Sequence, residues 1–182
     1  MAILRPLGSR SLTRPRSLNR RFVAGNAGGE TFYPDANSTL RISAGYCKGY
    51  EAADAIEHRP LTTLGGLIDK QAEATMGLGP NPEDFGCPAR LRDLCAQRPE
   101  LLATPVNCLY STDTVGGNSG SPVMDSKGRF VGINFDRQRQ GLMNEYKWSS
   151  SFSRSIGVDS RYICFLVGVY DGAADLVDEM CN

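Results

Sequence analysis

The sequence predicts a mainly β fold that ends in a helix, and three observations carry that reading. Thr39–Ser43 alternates apolar and polar side chains, as a strand with one buried face does. Two apolar runs, Pro122–Met124 and Phe130–Phe135, flank Asp125-Ser-Lys-Gly128, a turn sequence that closes a hairpin. After Asp159, a good helix N-cap, the chain stays apolar from Tyr162 to Tyr170.

In order along the chain, residues 1–30 read as a basic, disordered leader ending in the loose segment Gly25–Gly29, with ordered structure beginning near Thr31. Thr39–Ser43 is a strand, and Gly45–Tyr50 a turn or the start of its partner. Leu61–Gln71 fits a short helix or a loop crossing. Gly77–Gly86, with Pro80 and Pro82, is a loop. Leu91, Leu94 and Cys95 fall at helical spacing, so Ala89–Gln97 is a short helix. Val106–Tyr110 is a strand that leads into a glycine-rich loop, from which the hairpin strands emerge. Gly141–Ser155 is polar and Ser-rich, a loop or a short strand pair. The stretch from Asp159 to Met180 is read as a helix broken near Gly172, a strand being the alternative for its Ile- and Val-rich start.

At 182 residues with 41% apolar content the chain can bury a core. Its net charge of zero argues against a dedicated nucleic-acid binder. The balance is uneven: the first 22 residues hold six arginines and no acid, leaving 14 basic against 20 acidic residues. That leader shares its composition with organelle transit peptides but lacks a secretory apolar core, and Pro6 and Pro15 spoil a long amphipathic helix. No apolar run is long enough to span a membrane. Six cysteines, at 47, 87, 95, 108, 164 and 181, permit disulfides, yet their spacing does not match zinc sites. Neither bridges nor a metal is assigned from them.

The chemistry lies in Gly116-Gly117-Asn118-Ser119-Gly120-Ser121-Pro122. A serine hydroxyl is a weak nucleophile until a base takes its proton and donors hold the oxyanion. Flanking glycines let the backbone turn tightly enough for its N–H groups to converge. This string resembles the nucleophile loop of chymotrypsin-like serine peptidases. In that arrangement Ser119 is the nucleophile, and the amides of Gly117 and Ser119 form the oxyanion hole. The bland alternative is a Gly/Ser-rich turn between two strands. The chain has one histidine, His58, for the base role.

From Pro34 to Met180 the chain resembles the S46 family of bacterial dipeptidyl peptidases. The likeness rests on Pro34–Arg41, Lys48-Gly-Tyr50, Thr62-Thr-Leu64, Pro105-Val-Asn107, Gly116–Val123, Gly132–Arg137, Val158–Tyr162 and Leu176–Met180. The family implies a double-barrel peptidase of the chymotrypsin type with a helical insert, of which residues 31–182 are the C-terminal barrel and terminal helix. It implies release of N-terminal dipeptides at the cell surface or in the periplasm, without a cofactor, and leaves homodimers open. The triad His and Asp fall in the family's upstream part, so this chain is expected to carry only Ser119 and to need a missing N-terminal half. The resemblance further gives Asp136 the free ammonium of a peptide substrate. It gives Arg137 an Asp or Glu side chain just before the scissile bond, a fit for a guanidinium that can pair with a carboxylate through two hydrogen bonds. His58 lies in the same barrel as Ser119, whereas the family's base comes from the other, so it is read as a surface or packing residue.

Two other readings stand beside a dipeptidyl peptidase. One is a non-catalytic barrel that binds a peptide or partner. The weaker one is a different trypsin-like endopeptidase using His58.

Overall fold

The computed structural model describes residues 2–5, 42–79, 81–145 and 148–181. In chain order the strands are β1 (Ala2–Arg5), β2 (Ser43–Tyr46), β3 (Tyr50–Ala53), β4 (Ile56–His58), β5 (Leu61–Thr63), β6 (Pro105–Tyr110), β7 (Pro122–Asp125), β8 (Phe130–Arg137) and β9 (Ser155–Asp159). The helices are α1 (Leu64–Thr75), α2 (Ala89–Gln97), α3 (Ser160–Cys164), which runs on into a π-helical turn at Phe165–Tyr170, and α4 (Ala174–Cys181). The fold is mainly β, with antiparallel strand pairs and a C-terminal helix. The sequence reading took 31–182 as one domain. In the structure, Met1–Pro60 with Leu109–Gly157 forms one compact unit, and Leu61–Cys108 with Val158–Asn182 another. Within the stretch read as a leader, Ala2–Arg5 is a strand; the rest of it, and Thr31–Arg41, lie outside the described residues.

The first unit holds β2, β1, β7 and β8 as neighbours in that order, together with Ser155–Gly157 of β9 and Leu109–Tyr110 of β6. β1 lies parallel between β2 and β7, Ala2 facing Ser43 on one side and Val123 on the other. β7 and β8 form the expected hairpin. Asp125 closes its turn by accepting the Lys127 and Arg129 amides at 2.8 and 3.0 Å, and Gly128 takes φ +80. Residues 46–48 also bond to 109–111: Ser111 N donates to Tyr46 O and Lys48 N to Leu109 O, each at 3.0 Å. β3 and β4 make a separate hairpin whose turn residue Ala55 sits at φ +60.

Strand β9 inverts the usual pattern. Ser155, Gly157 and Asp159 face inward, while Ile156 and Val158 are half-buried. Gly157 is needed there, because a Cβ would lie 3.0 Å from the Tyr110 ring.

The second unit has its own core of Leu64, Cys87, Leu91, Cys95, Leu101, Val106 and Phe165. The stretch read as a helix or loop crossing is α1. Thr63 caps it, its hydroxyl accepting from Gly66 N at 3.4 Å, and Leu64, Leu67 and Ile68 supply the inner stripe. Leu91 and Cys95 are the inner positions of α2, as their spacing predicted. β5 pairs antiparallel with β6, Leu61 opposite Cys108. Asp159 caps α3 by accepting from Arg161 N at 2.9 Å and pairs with the Arg161 side chain. The expected break falls at Gly172, where φ is +78. Among the described residues, no helix is long and apolar enough to cross a membrane, and no group of three or more His, Cys, Asp or Glu could hold a metal ion.

Candidate active site

The predicted nucleophile loop joins β6 to β7, and Gly117 and Gly120 turn it at φ +89 and +84. Ser119 is exposed, and its Oγ donates to the Phe135 carbonyl of β8 at 3.2 Å. The amides around it divide into two sets. Asn118 N donates to Val115 O, Gly120 N to Asn134 O and Ser121 N to Asn118 O. Among the described residues, the amides of Gly117 and Ser119 have no acceptor. Both belong to exposed residues. Once a base takes its proton, an exposed hydroxyl can attack a carbonyl, and uncommitted N–H groups beside it can hold the oxyanion that results.

Asn134 holds this loop in place, a role not read from the sequence. It is 3% exposed, so every polar atom needs a partner. Its Oδ1 accepts from Tyr110 Oη at 2.5 Å, and its Nδ2 donates to Asn118 O at 3.1 Å. Its backbone N donates to Ser121 O at 2.9 Å. A polar residue at an inward position of an otherwise apolar strand was the available signal, since strand periodicity puts residue 134 on the buried face with Gly132.

Asp136 and Arg137 follow Phe135 directly, so the strand that accepts the Ser119 hydroxyl also carries both predicted substrate residues. Asp136 is exposed, and its Oδ1 accepts from Arg137 N at 2.7 Å. Arg137 is half-buried, and its positive charge acts on Asp113, whose Oδ1 is buried with no hydrogen-bond partner among the described residues. Burial pushes the Asp113 carboxyl above its ordinary value, and Arg137 pulls it partly back.

The segment after Arg137 is anchored by buried polar groups rather than by a surface loop. Gln138 N donates to Arg154 O at 3.2 Å, Arg154 N donates back to Gln138 Oε1 at 3.0 Å, and Gln138 Nε2 reaches Phe152 O. Ser153 Oγ donates to Asn144 Oδ1 at 2.6 Å. Arg154, only 1% exposed, donates to five carbonyls, those of Lys48, Gly49, Ser150, Ser151 and Ser153, at 2.7 to 3.2 Å. Its guanidinium also lies 5.9 Å from the centre of the Tyr50 ring. Arg154→Ala is therefore expected to cost at least about 3 kcal/mol, because each buried acceptor left unmade costs roughly 1 kcal/mol or more. Arg154→Lys should recover only part of that, since an ammonium lacks the planar fork. Thermal unfolding measures both, and a loss below about 1 kcal/mol for the alanine variant would sink this account.

His58 sits on β4 with its ring stacked on Tyr50 at 4.8 Å between centroids. Its contact is with that ring, and the Ser119 hydroxyl bonds to a backbone carbonyl instead.

Three comparisons with known proteins bear on this arrangement. The family model described as Peptidase S46 matches residues 8–182. An Asp/Glu-specific dipeptidyl-peptidase of Flavobacterium psychrophilum is 40% identical over 153 residues, covering 81% of this chain and 20% of its own length. A dipeptidyl-peptidase 7 of Phocaeicola vulgatus is 35% identical, with the same two coverages of 81% and 20%. Among solved structures, Porphyromonas endodontalis DPP11 in complex with the dipeptide Arg-Asp superposes with a TM-score of 0.70 at 33% identity, covering 84% of this chain and 22% of that one. The chain thus spans about a fifth of the length of the relatives it matches.

Proposed function

The chain belongs to peptidase family S46, and from that premise we propose that it carries the nucleophile and substrate-end residues of a serine-type dipeptidyl peptidase with a preference for Asp or Glu before the scissile bond. The observation that carries this reading is the exposed Ser119 hydroxyl beside the two acceptor-free amides of Gly117 and Ser119. In the proposed reaction Ser119 attacks the carbonyl of the second peptide bond, those amides hold the oxyanion, and water then releases the dipeptide from the acyl-enzyme. The Asp136 carboxylate takes the substrate's N-terminal ammonium, which limits cleavage to dipeptides. Arg137 takes the acidic side chain. Names of relatives that are Asp/Glu-specific, and one solved with Arg-Asp bound, support that assignment.

Unit one is read as the second barrel of a chymotrypsin-like pair. The bonds between residues 46–48 and 109–111 support that reading, because they tie β2, at one end of the strand order, to the last residues of β6, four strands beyond its neighbour β1. The general base is proposed to come from a part of the enzyme outside these 182 residues, which suits the contact of His58 with Tyr50. The complete enzyme is proposed to work in the periplasm or at the cell surface, which cell fractionation tests.

The decisive experiment mixes this chain with the segment of the Flavobacterium relative that precedes its matching part, and follows a fluorogenic dipeptide ending in Asp. Turnover is expected only in the mixture. Ser119-dependent turnover by the chain alone would overturn the placing of the base. Peptide binding without turnover in any mixture would favour a non-catalytic binding unit.

A further inference from the structure

We propose that Cys164 and Cys181 form a disulfide that fastens α4 to α3 under oxidising conditions. The geometry of the helical hairpin leads to this pair. The chain reverses at Asp171–Ala173, with Gly172 at φ +78, Asp171 N bonded to Leu166 O at 2.8 Å and Ala173 N to Val167 O at 2.9 Å. α4 then runs back along the preceding helix. Gly168 faces Val177 so closely that a Cβ there would lie 3.1 Å from Val177 Cγ2. Cys164 precedes Gly168 by four residues and Cys181 follows Val177 by four, so an antiparallel pair brings the two cysteines to matching positions on the two helices.

Accessibility separates this pair from other cysteines of the same unit. Cys87, Cys95 and Cys108 are buried in the structure, whereas Cys181 is exposed and Cys164 half-buried. Burial, and then the neighbouring Cys181, push the Cys164 thiol up, so the accessible Cys181 is the sulfur that reacts first. With a small-molecule disulfide as oxidant, the Cys181 thiolate attacks one of its sulfurs and releases the first thiolate. Cys164, giving up its proton, then attacks Cys181 Sγ and releases the second. Two protein thiols are oxidised and one disulfide is reduced to two thiols.

The test uses the full chain, reduced and then incubated with oxidised glutathione, alkylated and digested with trypsin. No Lys or Arg follows Arg161, so one peptide, 162–182, holds both cysteines. Its expected form is two hydrogens lighter than the reduced peptide, with no alkyl group. Further cleavage before Asp171 should leave the Cys164 and Cys181 pieces joined. Alkylation of both cysteines, glutathione left on either, or a link to another cysteine or another copy would overturn the proposal. As a second readout, oxidation should raise Tm by roughly 5–10 °C. The Cys181→Ser variant should lose that rise, and an equal rise in the variant would also overturn it.

Discussion

Ser119→Ala is expected to lower kcat of the assembled enzyme by about a million-fold, the size of loss that follows removal of a serine nucleophile. The fold should survive, because the side chain is exposed and its one hydrogen bond, to Phe135 O, is on the surface. KM should change little, since the proposed oxyanion amides belong to the backbone and the proposed substrate contacts to Asp136 and Arg137. Single-turnover kinetics on a dipeptide ester, with thermal unfolding as the folding control, measures both. A stable variant that keeps more than about a tenth of the rate would remove Ser119 from the nucleophile role.

Arg137→Ala should act on specificity rather than on chemistry. Losing one partner of a buried charge pair costs about 2–5 kcal/mol, or roughly 30- to 5,000-fold in kcat/KM on substrates with Asp or Glu before the scissile bond. Substrates with an apolar residue there should be unaffected or improved, because the variant pocket no longer buries a charge that they cannot pair. Arg137→Lys keeps the charge but not the two-pronged geometry, and it should fall between the two. Paired assays on an acidic and an apolar dipeptide substrate make the comparison, and an equal loss on both would sink the assignment. The neighbouring Asp113 gives this arginine a counter-charge within the protein, which a substrate carboxylate must compete with or join.

Some of this site was legible because its signals are local. Glycines on either side of Ser119 specify a tight loop within a few residues, and Asp125 with Gly128 specifies the hairpin turn that follows it. Leu91, Leu94 and Cys95 report a helix through spacing alone. The β3–β4 hairpin gave no such sign, because its left-handed turn residue is Ala55, where a glycine would have marked the turn. β9 was missed for another reason. Its inward residues Ser155 and Asp159 are polar, so alternation by hydrophobicity pointed to no strand. The polar stretch 141–155 reads as a loop or a short strand pair with no buried side chains marked, yet Asn144, Ser153 and Arg154 are buried.

The order of residues by itself determined the glycine-rich loop around Ser119, the hairpin turn at Asp125–Gly128, the cap at Asp159 and the break at Gly172. Each depends on backbone preferences acting over a few residues. Only the tertiary structure decided that Arg154 is buried, because the carbonyls that satisfy it at Lys48 and Gly49 lie 106 and 105 residues away. It alone decided that Asn134 holds the Ser119 loop and that His58 stacks on Tyr50. A buried polar group is stable only where its partners are, and where distant partners meet is a property of the folded chain rather than of any short segment.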